Sequence, residues 1–243
     1  MVNEMIVSID GPAGAGKSSI SKEVAKKLKL TYIDTGAMYR ALTYKAIENN
    51  IDIFDEKKLE KTLLESEIEL VSDFEEDILK IYLDKKEITN EIRTPAVSQA
   101  VSEVSTHKKI REIMVQKQRD IANSRGNVIL DGRDIGTVVF PFADVKIFLT
   151  ASVNERAKRR LMELEEKGLE INLDELIKEM KKRDRQDTER EFSPLKPADD
   201  AIIVDTTDLK YDEVKDKIVD IIDKISKIKE IEGDNFPRQN DFF

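Results

Sequence analysis

Short apolar runs alternate with longer stretches of helical spacing along most of this chain. Met5–Asp10 reads as a buried strand ending in a turn. Lys17–Leu30 follows as a helix, with Ile20, Val24 and Leu28 returning every four residues to one face. Tyr32–Ile33 is a second short strand, and Ala37–Asn49 reads as helical. Leu59–Glu69 fits either helix or strand. Ile78–Leu83 alternates weakly and, with Ile88 and Ile92, suggests a small β region open to an antiparallel arrangement. Ala96–Ser124 is one long helical stretch. Val128–Leu130 and Val145–Leu149 are the third and fourth apolar strands. Asn154–Lys167 and Leu173–Arg185 are amphipathic helices separated by Gly168. Ala201–Val204 is the fifth strand, and Val214, Ile218, Ile221, Ile222, Ile225 and Ile228 mark a closing helix.

Apolar strands alternating with helices predict a parallel α/β sheet covered on both faces. The segment 59–94 breaks that rhythm and reads as an insertion. Residues 1–58 and 95–230 then form the core, and 231–243 form a patternless tail expected to be disordered. No internal repeat is visible.

Composition narrows the classes. With no cysteine, disulfide frameworks and thiolate zinc sites are excluded, and a reducing, cytoplasmic home is the expectation. The one histidine, His107, lies beside Lys108 and Lys109 and is expected at the surface of a helix. No apolar run approaches the ~20 residues of a membrane span, so no membrane partner is expected. A net charge of −9 disfavours a nucleic-acid polymer, whose affinity comes mainly from phosphate neutralisation. A small anion in a local basic pocket remains compatible with it.

The sharpest motif is Gly11-Pro12-Ala13-Gly14-Ala15-Gly16-Lys17-Ser18, which fits G-x-x-x-x-G-K-[ST] between a strand and a helix. Glycines let backbone N–H groups turn toward phosphate oxygens, and the helix N-terminus adds its positive end. Lys17 is the candidate for the β- and γ-phosphates, and Ser18 offers a hydroxyl to Mg²⁺. A nucleoside triphosphate is implied, but the reaction is not.

Arginine is the scarcer cation, with 13 Arg among 41 basic residues, yet it gathers in a few polar turns. A guanidinium grips phosphate bidentately and keeps its charge when partly buried, so such clusters point to oxyanions. Asp34-Thr35-Gly36-Ala37-Met38-Tyr39-Arg40 follows the second strand; Thr35 can cap the helix, and Arg40 could reach a phosphate. Asp131-Gly132-Arg133-Asp134-Ile135-Gly136 follows the third strand. Both motifs fall beyond carboxyl ends of strands, where open parallel sheets bind ligands. Asp131 stands where a magnesium-orienting carboxylate belongs. Arg183 and Asp187, four apart, can share one helix face, either toward a ligand or as a solvated ion pair. Arg156, Arg159 and Arg160 are candidates for a lid near 154–190, or simply solvated cations.

These segments, together with Glu91-Ile92-Arg93-Thr94, the run Gly136-Thr137-Val138-Val139-Phe140-Pro141 and Lys182-Arg183-Asp184, closely resemble the bacterial cytidylate kinase family from Met5 to about Ile228. The resemblance implies a P-loop kinase fold: a five-stranded parallel sheet flanked by helices, with a small inserted β region for the nucleoside monophosphate and a helical lid. It implies ATP over Gly11–Ser19, Mg²⁺ as cofactor near Ser18 and Asp131, and Lys17, Arg133 and Asp131 at the chemistry. It places Thr35, Arg40, Ser102, Arg111, Arg133, Asp134, Arg183, Asp187 and Arg190 around CMP or dCMP. Arg40, Arg111 and Arg133 would hold its phosphate, and Ser102, Arg183 and Asp187 would read the cytosine edge and the sugar. Thr35 stands where the family carries Ser or Thr. The partners expected are small nucleotides, and the chain is expected to act as a monomer.

Overall fold

The computed structural model describes residues 4–73, 78–166, 168 and 171–232. The first strand, β1 (Ile6–Asp10), lies at the centre of a five-stranded sheet because its apolar residues are buried on both faces. Around it stand β2 (Thr31–Asp34), β6 (Val128–Gly132), β7 (Val145–Thr150) and β8 (Ile202–Asp205), in the order β2-β6-β1-β7-β8 with every pairing parallel. The register puts Asp10 opposite Gly132 and Asp34 opposite Asp131, so the predicted chemical motifs emerge side by side at one end of the sheet.

Helix α1 (Lys17–Leu28) buries Ile20, Val24 and Ala25 against the sheet. It stops short of the predicted Leu30 because Lys29 takes a left-handed conformation and closes the last turn. α2 (Thr35–Glu48) is capped by Asp34, whose Oδ1 accepts from the Ala37 N–H at 2.9 Å. Thr35, the expected cap, instead donates its hydroxyl to the Asp131 carbonyl at 2.6 Å.

The ambiguous stretch after residue 58 resolves into α3 (Glu56–Leu64) and β3 (Ile68–Asp73). β3, β4 (Ile78–Leu83) and β5 (Lys86–Glu87) form a separate three-stranded antiparallel sheet. Leu70, Leu79, Ile81 and Leu83 of this sheet, with Ile88 and Ile92, are buried in the same core as the large sheet. Ile92 itself sits in a 3₁₀ turn over Glu91–Arg93, not in a strand.

The stretch predicted as one helix over Ala96–Ser124 is two: α4 (Pro95–Val104) and α5 (Lys108–Asn123). Ser105 and Thr106 donate their hydroxyls to the Ser102 and Glu103 carbonyls at 2.8 and 2.7 Å, ending α4 without glycine or proline. His107 is half-buried in the junction, with Nε2 2.7 Å from the Ile53 carbonyl, rather than a free surface residue.

α6 (Val153–Glu165) and α7 (Leu173–Glu189) form a hairpin with a small core of its own, Ala157, Leu164, Leu176 and Met180. α8 (Tyr211–Glu232) closes the fold against α1 and includes residues 231 and 232, which the tail reading had excluded from the helix. The rest of that tail, 233–243, lies outside the described residues. Among the described residues no helix is long and apolar enough to cross a membrane.

Candidate active site

The loop between β1 and α1 is shaped by close approach. A Cβ on Gly11 would lie 1.9 Å from the Leu149 carbonyl oxygen, so only glycine lets the chain pass β7 here. At the far end of the loop, Lys17 is buried, and its Nζ donates to the Pro12 carbonyl at 2.8 Å. Burial and then the Arg133 cation push its pKa well below the ordinary lysine value, while Asp131, Asp10 and Asp187 pull the other way. Ser19, the last residue expected at ATP, sits in the first turn of α1 and is exposed. Ala13, Gly14, Ala15 and Gly16 complete the curl between Pro12 and Lys17.

Asp131 leaves β6 beside this loop. Its Oδ2 accepts from the Ser18 hydroxyl at 2.7 Å and its Oδ1 from the Tyr32 hydroxyl at 2.8 Å. Burial, then Asp34, raises its pKa to about 6, a sign of a carboxylate short of positive charge. The pair offers hard oxygen donors beside a phosphate loop, the setting in which Mg²⁺ is held by one or two protein oxygens and the substrate's own phosphates.

Next to it runs a network of arginines and carboxylates. Arg133 donates Nε to Asp187 Oδ2 at 2.8 Å. Asp187 also lies 3.8 Å from Arg190, and its pKa is lowered because these cations outweigh its burial. Asp134 takes a short charged hydrogen bond from Arg111 and lies 3.7 Å from Arg190. Arg111 stacks over the Tyr39 ring at 5.5 Å and donates to the Ser105 carbonyl at 3.1 Å, a contact the α4–α5 break makes possible. Arg190 donates Nε to the Ser193 carbonyl at 2.6 Å.

Two further arginines are crowded by like charges. Arg40 donates to the Ile92 carbonyl at 3.1 Å and to Ser98 at 2.9 Å. Ser102, one turn beyond Ser98 on α4, is buried on the same face. Burial and the neighbouring Arg93, Arg133 and Arg160 lower the Arg40 pKa to about 10, against the pull of Asp34. Arg183 is likewise lowered to about 10, by burial and then by Arg133 and Arg40, and its buried Nε has no hydrogen-bond partner.

The three lid candidates divide. Arg156 is buried and bonds to the Ala13 carbonyl at 2.9 Å, the Ala151 carbonyl at 3.0 Å and both Asp184 oxygens at 3.1 and 2.6 Å. Arg159 is held by Thr206 through its hydroxyl at 3.0 Å and its carbonyl at 2.7 Å. Arg160 makes a surface pair with Glu163 at 2.8 Å, and its charge is felt by both Arg40 and Arg183. Of the three, it is the one whose charge bears on both Arg40 and Arg183.

Sequence reasoning missed Asp10, Tyr32 and Asp184. Asp10 and Asp184 left a signal, a carboxylate ending an apolar strand and a second acid beside Arg183. Tyr32 left none, since it reads as part of a buried strand.

The family model described as cytidylate kinase matches residues 7–224, most of the chain. The chain belongs to the cytidylate kinase family. It is 51% identical over 227 residues to a cytidylate kinase of Bacillus pumilus (strain SAFR-032), covering 93% of this chain and 100% of that one. It is 51% identical to a cytidylate kinase of Alkaliphilus oremlandii (strain OhILAs), covering 89% and 96%, and 47% identical to one of Bacillus subtilis (strain 168), covering 93% and 100%. A cytidylate kinase needs two phosphate sites within reach of each other. Here the loop lysine, Lys17, is buried and the half-buried Arg133 lies close enough to lower its pKa.

Proposed function

We propose that this chain transfers the γ-phosphoryl group of ATP to CMP and dCMP, giving ADP and CDP or dCDP. The geometric observation that supports it is the hydrogen bond from Ser18 of the phosphate loop to Asp131, two residues before Arg133, at the carboxyl end of the sheet. The cytidylate kinases that match this chain over nearly its whole length support the choice of acceptor.

Gly11–Ser19 would receive the triphosphate on backbone N–H groups, with Lys17 over the β- and γ-phosphates. Ser18 and Asp131 would hold Mg²⁺, which would supply charge neutralisation for the transferring phosphoryl group. Arg40 and Arg133 would grip the acceptor phosphate, as expected from the sequence; Arg183, expected at the cytosine edge, would join them in place of Arg111, because Arg183 crowds against Arg133 and Arg40 while Arg111 is paired with Asp134, and Arg160 would arrive from the lid hairpin. Their crowding in the free protein is the electrostatic opposite of a dianion. Arg111, Asp134, Asp187, Arg190 and Ser102 would orient the base and sugar, and Thr35 would hold the Asp131 segment against α2. The acceptor phosphate is already anionic near neutrality, so catalysis is alignment plus positive charge, with no general base. The three-stranded insertion over 59–94 would form part of the monophosphate domain, and closing it with the 154–190 hairpin would exclude water. A cytoplasmic monomer is the form in which we expect it to act.

A coupled ADP-release assay with Mg²⁺-ATP and, separately, CMP, dCMP, UMP, AMP and GMP tests the acceptor. Turnover is expected to be fast with CMP and dCMP and weak with UMP. Equal turnover with AMP or GMP would overturn the cytosine reading.

A further inference from the structure

The carboxylate of Asp10 ties the end of β1 to the segment that follows Arg133 and Asp134. It ends β1, one residue before Gly11 of the phosphate loop. Its side chain is buried and does not point into the loop. Oδ1 accepts from the Ile135 N–H at 2.8 Å, and Oδ2 accepts from the Gly136 N–H at 2.7 Å. Those two amides open the π-helical turn Ile135–Val139, immediately after Arg133 and Asp134. The approach is close by construction. A Cβ on Gly136 would lie 3.0 Å from the Ser8 hydroxyl and 3.3 Å from the Lys146 side chain, so a bulkier residue there would strain the turn against β1.

We propose that Asp10 is a positioning residue for phosphoryl transfer, its carboxylate fixing the distance between the ATP loop and the segment that carries Arg133 and Asp134. The backbone on one side of this clamp leads straight into Gly11. On the other side Arg133 pairs with Asp187, and Asp134 with Arg111 and Arg190. A single side chain therefore spans from the loop to the network expected around the acceptor, and does so through two amides that belong to neither substrate. A sub-ångström change here is transmitted to both phosphates at once. In-line transfer is steep in that separation, because the catalytic power lies in alignment. The competing explanation is that Asp10 merely lends its charge to Lys17, which it helps keep protonated.

Two variants separate geometry from charge, and the inference rests on the transfer reading above. Asp10→Asn removes the charge and leaves one acceptor oxygen where two are used. Asp10→Glu keeps the charge beside Lys17 but is one methylene too long for both amides. Both are expected to lower kcat by roughly 10- to 100-fold while the KM values for ATP and CMP move by less than about threefold. Circular dichroism should show each variant folded, and Asp10→Glu remains informative should Asp10→Asn fail to fold. Full kcat in Asp10→Glu with loss only in Asp10→Asn, or an Asp10→Asn defect confined to the alkaline limb of the kcat profile, would assign the effect to Lys17 and overturn the positioning role. An unchanged kcat in both, or a large rise in the ATP KM alone, would overturn it equally. Absence of CMP turnover in the unaltered protein would instead strike the transfer reading itself.

Discussion

The two halves of the site solve opposite problems. On the donor side the loop is complete in itself: Lys17 bonds to Pro12, Ser18 to Asp131, and Tyr32 to the second Asp131 oxygen. On the proposed acceptor side Arg40 and Arg183 are half-buried near one another and near Arg133, their pKa values lowered, with the buried Arg183 Nε unpartnered. A preformed loop can hold its shape without ligand, whereas the arginine cluster, only partly offset by Asp34 and Asp187, stands to gain from an incoming anion. On the proposed reading, ATP binding asks little of the fold, while monophosphate binding changes its electrostatics.

Removing the donor lysine is the strongest way to break that comparison. Lys17→Ala is expected to reduce kcat by about 10²–10³-fold with a much smaller change in the CMP KM, read by steady-state kinetics. A loss confined to KM would show that Lys17 only binds.

Removing an acceptor arginine should act on the other axis. Arg183→Gln is expected to raise the CMP KM roughly 10- to 100-fold, the worth of a charged hydrogen bond. Because the free protein holds that half-buried guanidinium against like charges, the same variant is expected to keep or raise the thermal midpoint without ligand, by a few degrees at most. Added CMP should then stabilise it less than it stabilises the parent. A sharp fall in the ligand-free midpoint would mean that Arg183 is a structural partner rather than a waiting ligand.

The smallest effect belongs to the joint between the halves. Burial raises the Asp10 pKa from 3.8 to about 7, against the two amide hydrogen bonds and Lys17 and with the help of Asp134. Between pH 4 and 7 the folded protein therefore holds more protons at this group than the unfolded chain does. Its contribution to stability consequently falls as pH rises through that window. Asp10→Asn is expected to flatten this part of the midpoint-against-pH curve, measured by calorimetry in metal-free buffer. Parallel curves for the two proteins would contradict the buried, raised carboxylate.

Much of this arrangement was legible in the residues. The five strands announced themselves as short apolar runs between helical periodicities, and the phosphate loop by glycines before Lys17 and Ser18. The split of α4 from α5 was not, because Ser105, Thr106 and His107 carry neither glycine nor proline and end the helix by hydroxyl-to-carbonyl bonds. Thr35 was a sensible cap by residue type, but Asp34 took that role once β2 ran alongside β6 and drew the Thr35 hydroxyl to Asp131. The arginine clusters could be read as oxyanion sites, yet their pairings could not. Arg133 and Asp187 are 54 residues apart, and only the docking of α7 joins them. The same holds for Arg156, whose position in a helical run suggested a lid, while tertiary packing turns it to the phosphate loop and Asp184.

The measurement that bears most directly on the account is product analysis of the purified protein with Mg²⁺-ATP and CMP. Equimolar ADP and CDP, formed only when both substrates are present and lost in Lys17→Ala, is the expected result. ADP without CDP, or no CMP-dependent turnover in folded protein, would contradict it.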